Sequence, residues 1–252
     1  MNAGAIVRWK VARTKMKNLK KLSWFQLVGL FGLPAILNTV ACKIAIPFLD
    51  SRQIFPIEAS YFLSVGLLVL APMFFWALYL SGKDIGSFRL PDLLRRMRVK
   101  KLTVGDAGWT IATFLLLVLA SYLIAKVLMP MFGMDAMPFF FQNMPLDEEH
   151  KWILYVWPLF FFFNIFGEEF LWRGYIQPRQ ELLNGKWTWL VHGLFWAGWH
   201  LPMGIDLIIA SSPIFFILPA VVQIRKNTTI SIIVHAVFGA FGFLALALGA
   251  VH

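Results

Sequence analysis

The sequence predicts an all-α fold, a polytopic transmembrane helix bundle of about seven spans (six to eight), with a polar cluster inside its C-terminal half. Three observations carry this. Of 252 residues 59% are hydrophobic and only 14% charged, and 25 Phe and 11 Trp take the chain far from the composition of an ordinary soluble domain. Apolar runs of about 20 residues, the length a bilayer core requires, recur along it. The net charge of +10 is concentrated in segments between those runs, so it reads as topology under the positive-inside rule and excludes a nucleic-acid surface. A single cysteine, Cys42, excludes an internal disulfide framework.

Arg8, Lys10, Arg13, Lys15, Lys17, Lys20 and Lys21 precede the first apolar run with no acidic residue among them. This places the N-terminus in the cytoplasm and the protein in the cell membrane as a multi-pass chain. The first span covers 22–49, and Asn38 and Lys43 interrupt it and predict a bend near its far end. Its apolar core is longer than that of a cleaved signal peptide, and Thr39-Val40-Ala41-Cys42 is a poor lipoprotein-type site, so Cys42 is read as a small residue inside a span. Residues 61–80 form a second span without a charge. The loop 81–108 carries Lys83, Arg89, Arg95, Arg96, Arg98, Lys100 and Lys101 against three aspartates. It is read as a topogenic, cytoplasmic loop on the membrane surface in preference to a site for anionic lipid or acidic substrate.

A third span, 107–125, delivers 130–150 to the opposite side, where Asp135, Asp147, Glu148 and Glu149 dominate. The run 152–167 is too short alone, so it continues through Glu168, Glu169 and Arg173 to about Leu183 as one long helix. The fifth run, 187–205, is stopped by Pro202 and has Trp187 and Trp189 at its expected interface. The sixth, 207–224, carries Pro213 and Pro219 and is expected to kink. The last, 229–251, holds His235 with Gly239, Gly242 and Gly249, whose spacing suits close helix contact. The chain divides into a basic segment with three spans, 1–150, and a C-terminal helix core, 151–252.

Ionised side chains at bilayer depth are costly, which marks them as functional candidates. The polar residues of the C-terminal core are few: Asn164, Glu168, Glu169, Arg173, His192, His200 and His235. On a helix Glu169 and Arg173 form an i,i+4 pair with the acid first, the favourable order. Glu168 points about 100° away, on the face of Asn164 and Trp172, and needs a partner from another helix. Counted from Lys186 and Lys226, His200 lies about 21 Å deep and His235 about 14 Å, which lets both converge with Glu168. His192 starts only about 9 Å in and turns roughly 80° from His200, so it is read as an interfacial or packing histidine. Access to the cluster is expected from the cytoplasmic side.

A carboxylate held in a poorly solvated bundle can be poised as a general base. A proton passed from water to Glu168 would leave a nucleophile able to attack an amide carbonyl, with His200 and His235 orienting the water and donating to the developing oxyanion. The outcome is peptide hydrolysis without a covalent nucleophile. The same residues also make a buried polar network that ties helices together. Composition and spacing leave both readings open.

Glu168-Glu169-x-x-x-Arg173, then Leu194-Phe195-Trp196-Ala197-Gly198-Trp199-His200-Leu201-Pro202, then Ser231-Ile232-Ile233-Val234-His235 resemble, in order, spacing and wording, the successive motifs of the CPBP family. These are the CAAX prenyl endopeptidases and bacteriocin-processing or immunity proteins, also called Abi. The resemblance covers about residues 150–245. It implies an intramembrane glutamate-dependent protease in which Glu168 activates water and His200 and His235 complete the site, with Glu169 and Arg173 as the rest of the first motif. Two positions depart from the pattern. Trp196 stands where the family usually has Phe, which preserves an aromatic wall. Gly239 stands where the last motif has Asn or Asp, and Asn164, one turn before Glu168, is the candidate for the missing amide.

Two histidines and a glutamate are also a zinc-ligand set, so Glu168, His200 and His235 would hold a metal if one bound. The lack of a His-Glu-x-x-His helix and the charge of Arg173 argue that no metal or other cofactor is required. No Gly-x-Gly-Asp stretch like that of presenilin-like proteases, no Gly-x-Ser-Gly stretch like that of rhomboids and no phosphate-cradling Gly-rich loop occurs. The leading expectation is an endopeptidase acting on a lipidated, CAAX-like, or strongly hydrophobic peptide, with membrane lipids as its other partner. The rival is a non-catalytic relative, an immunity or scaffold protein that binds a membrane partner, which Gly239 favours. A transporter is a third reading, since midplane charge would suit one.

Overall fold

A computed structural model describes residues 19–134 and 137–250. Arg8, Lys10, Arg13, Lys15 and Lys17, on which the cytoplasmic N-terminus rested, lie outside the described residues, as does Asp135. Among the described residues every regular element is helical, as the composition predicts. Helices α1 (Trp24–Ser51), α2 (Ile57–Ile85) and α4 (Val104–Met131) are long and apolar enough to cross a membrane, and the short α3 (Leu90–Arg96) lies between the last two. Next come α5 (Ile153–Glu168), a π-helical segment Glu169–Ile176, α6 (Gln177–Asn184), α7 (Thr188–Trp199), α8 (Ile205–Ala210), α9 (Ser212–Arg225) and α10 (Thr228–Ala247). The bend expected near Lys43 is a π-helical turn, Ala41–Ala45. Within it Cys42 is buried, with Sγ 3.5 Å from Asn38 Oδ1.

The expected rod from 152 to about 183 is present as α5, the π segment and α6. It ends at Gly185, whose φ of 54° favours glycine, and the chain doubles back. His192 Nδ1 of α7 then meets Gln180 Oε1 of α6 at 2.8 Å. The fifth and sixth runs are shorter than expected. Helices α7 and α9 have 12 and 14 residues, about 18 and 21 Å of rise against a hydrocarbon core of about 30 Å. Proline sets both limits. Pro202 sits in the 3₁₀ turn Leu201–Met203, and Pro213 is tolerated in the first turn of α9, where no helical N–H is required. The two helices form a hairpin that rises from the basic end to an apex at 200–211.

The two ends of the bundle are closed differently. At the basic end Arg96 is buried and pairs with Asp84 at 2.9 Å, and Arg179 joins the same carboxylate. Arg98 grips Glu181 through two hydrogen bonds of 2.9 Å, and Arg225 pairs with Asp106 at 2.9 Å. The basic loop is therefore stitched to α6 and to the start of α10, where Thr228 N–H donates to the Arg98 carbonyl at 2.9 Å. Arg96 and Arg98 of the loop are thereby neutralised by Asp84 and Glu181 inside the fold, while Arg89 is exposed. At the acidic end Phe140 stacks on Tyr61 with centroids 3.7 Å apart. The Asn143 N–H donates to buried Glu58 at 3.1 Å, and the hydrogen bond from His150 holds the Asp147 carboxyl below the usual carboxylate range.

Candidate active site

Glycine brings the first motif into contact with its neighbours. A Cβ on Gly167 would lie 2.5 Å from the Leu70 carbonyl oxygen, and one on Gly174 would lie 2.8 Å from Met97 Cβ, so only hydrogen fits between the rod and α2 or the basic loop. Between these contacts the rod widens into its π segment. The Gln177 N–H reaches back to the Trp172 carbonyl, an i→i+5 bond that changes which side chains share a face. Every residue of the segment is buried.

Glu168 is 2% exposed. Its Oε1 accepts from Asn164 Nδ2 at 2.7 Å and its Oε2 from Trp196 Nε1 at 2.6 Å. The partner from another helix that the sequence called for is thus Trp196 on α7, and Asn164 adds a second from the same helix. Trp172, expected on the same face, is turned away to stack on Phe31 at 4.5 Å, because the widened helix begins between it and Glu168. Glu169 is paired as expected with Arg173, at 3.5 Å, both side chains fully buried. His235 departs from expectation: its Nδ1 goes to Glu169 Oε1 at 2.9 Å and not to Glu168.

Trp196 is the hub of the cluster. The Arg173 guanidinium lies 3.5 Å from its ring centroid, a cation–π contact. His200 and His235 approach the same ring edge-on at 6.1 and 5.9 Å. A phenylalanine would keep these contacts and lose the bond to Glu168. His200 Nδ1 lies 2.9 Å from the Trp196 carbonyl oxygen. A carbonyl only accepts, so Nδ1 carries the proton, and Nε2 of the neutral ring is an acceptor. His192 is a packing histidine as read, but it is fully buried against Gln180 and Phe31 and not interfacial.

A cavity of about 380 Å³ adjoins the cluster, with Asn164, His200 and Gly239 in its lining and Phe140, Phe161 and Phe243 among its walls. A Cβ on Gly239 would meet only Phe161, at 3.7 Å, so this position leaves room for a side chain. Asn164, the candidate for the missing amide, lies on α5, binds Glu168 and lines the same cavity as Gly239. Among the described residues no group of three His, Cys, Asp or Glu is placed to hold a metal ion. The candidate set Glu168, His200 and His235 is divided among Trp196, Asn164 and Glu169. Sequence reasoning missed one support, Asn38 of α1, which is fully buried and donates to the Trp199 carbonyl at 2.9 Å. Its signal was a polar residue inside an apolar run.

Residues 150–241 match the family model described as type II CAAX prenyl endopeptidase Rce1-like. No curated protein and no solved structure matches the chain.

Proposed function

We propose that the protein is a glutamate-dependent endopeptidase of the CPBP family of CAAX-type intramembrane proteases, which hydrolyses a peptide bond of a lipidated or strongly hydrophobic peptide; the match of residues 150–241 to the type II CAAX prenyl endopeptidase Rce1-like model supports this reading. The observation that carries this reading is the buried Glu168 carboxylate, held by two neutral donors of which one, Asn164, lines the cavity, and without a direct ion pair among the described residues. Water at the cavity floor donates one hydrogen bond to His200 Nε2 and gives its other proton to Glu168 as its oxygen bonds to the carbonyl carbon. The carbonyl π electrons move to oxygen. Protonated His235, its Nδ1–H on Glu169, offers Nε2–H to that oxyanion. Collapse breaks the C–N bond, and the Glu168 proton passes to the leaving amine, which restores the carboxylate. Glu169 and Arg173 position His235 and Trp196 and stay out of the proton path. No metal or other cofactor takes part.

The test is cleavage of a lipidated or apolar peptide by reconstituted protein. Wild type is expected to cleave with or without a chelator, and Glu168→Gln to lose about 10²–10⁴ in rate. Chelator inactivation restored by zinc would replace the metal-free scheme. A second reading, a non-catalytic immunity or scaffold protein, is favoured by Gly239, which contributes no side chain to the floor. Failure of wild type to cleave any such peptide would support it.

A further inference from the structure

The cavity has a direction. On α5 each residue that lines it, from Trp157 to Asn164, precedes Glu168, and on α10 each, from Phe238 to Leu246, follows His235. Helix α5 runs away from the acidic loop and α10 runs toward it, so both sets lie on the acidic-loop side of the site. Below the site, the π segment is buried and the ion pairs of Asp84, Glu181 and Asp106 fill the basic end. This is the reverse of the access expected from the sequence.

A second cavity, of about 510 Å³, continues from the first. The two share Ser121 and Ala125 of α4 and Phe238, Gly242 and Leu246 of α10. Helices α4 and α10 are joined at their basic ends, where Asp106 holds Arg225 and Asn227 just before α10 begins. Toward the acidic end small residues face the gap, and a Cβ on Gly242 would meet nothing within 4 Å. The outward face of α4 is apolar, with Leu115, Leu119 and Tyr122 exposed, as suits contact with lipid.

We propose that the apolar segment of a membrane-anchored peptide enters sideways between α4 and α10, in the half of the bilayer next to the acidic loop, and reaches the site from that side. The proposal rests on the peptidase reading for what happens at the floor. The occupant is an extended apolar peptide segment, because the passage is walled mostly by aromatic, aliphatic and small residues, with Lys126, Ser121 and Ser211 among its few polar ones, and reaches Asn164 and His200 at the site. If the basic loop is cytoplasmic, the substrate is cut in the outer half of the membrane. The class of reaction that supplies it is then export or insertion of a membrane-anchored peptide.

Two readouts test this. Ser211→Cys, on the cavity wall, is labelled in sealed vesicles with a membrane-impermeant maleimide, with Glu149→Cys and Lys83→Cys reporting the acidic and basic faces. Cys42 is buried. Ser211→Cys is expected to react only when the Glu149→Cys face is exposed to reagent; reaction from the Lys83→Cys face overturns the proposal. Labelling needs no turnover, so this outcome is independent of whether the protein is a peptidase. The second readout is Gly242→Trp, which fills the passage. It is expected to raise KM for a bilayer-embedded apolar peptide with unchanged thermal unfolding, and an unchanged KM overturns the lateral route.

Discussion

The basic and acidic ends of this bundle are both closed, but by interactions of opposite kind. Asp84, Glu181 and Asp106 hold arginines through directional, charge-assisted bonds at the basic end, where each partner depends on the other's position. Tyr61, Phe140, Phe141 and Phe243 close the acidic end by ring contacts, which are non-directional in the main and tolerate sliding. The two joined cavities beside the cluster lie at the second end. The contrast shows how a membrane protein can fix a buried charge cluster rigidly and still leave a passage to it: the rigid closure is placed below the cluster and the deformable closure above.

Predictions that strain this contrast begin at the charge cluster. Arg173→Met leaves Glu169 buried without its cation and should destabilise the fold by about 3–5 kcal/mol, read as a fall in thermal unfolding temperature in detergent. An unchanged temperature would mean that the basic half does not depend on the pair. Trp196→Phe keeps the ring contacts and removes one hydrogen bond to Glu168. It should cost about 1–3 kcal/mol, seen as a roughly 5- to 150-fold loss of turnover with the fold retained. Gly239→Asn restores a polar side chain at the cavity floor where space exists. Turnover should rise, by less than the roughly 10²–10³ attributed to an optimised oxyanion donor, and a fall would show that the glycine is needed for substrate room. Smallest is Arg98→Ala at the partly exposed edge of the basic network, about 1 kcal/mol or less by chemical or thermal unfolding.

Much of this was legible in the sequence, for reasons that differ by element. Helix α2 follows from unbroken apolar length, the rod from 153 to 184 from an apolar run too short to span alone, and the Glu169–Arg173 pair from helical spacing. The short hairpin α7–α9 was legible only as prolines, because how far a helix continues past Pro202 depends on what Gly204 and the apex pack against. The partner of Glu168 was foreseen as a residue on another helix, but Trp196 was read as a wall, since an indole N–H has no pattern that announces its acceptor. The division of His235 from Glu168 depends on a π segment, and the i→i+5 shift leaves no mark in apolar periodicity. The opening of the cavity toward the acidic loop was not legible, because charge patterning reports which loops face the cytoplasm, not where side chains leave space.

Two adjacent carboxylates with different partners offer the most direct test. Glu168→Gln and Glu169→Gln would be reconstituted side by side, and peptide cleavage and thermal unfolding measured on each. Glu168→Gln should lose turnover while unfolding near the wild-type temperature, because a glutamine amide can still meet Asn164 and Trp196. Glu169→Gln should lose stability as well, because Arg173 and His235 lose their shared anion. Equal losses of turnover and stability in both variants would contradict the assignment of base to one and anchor to the other.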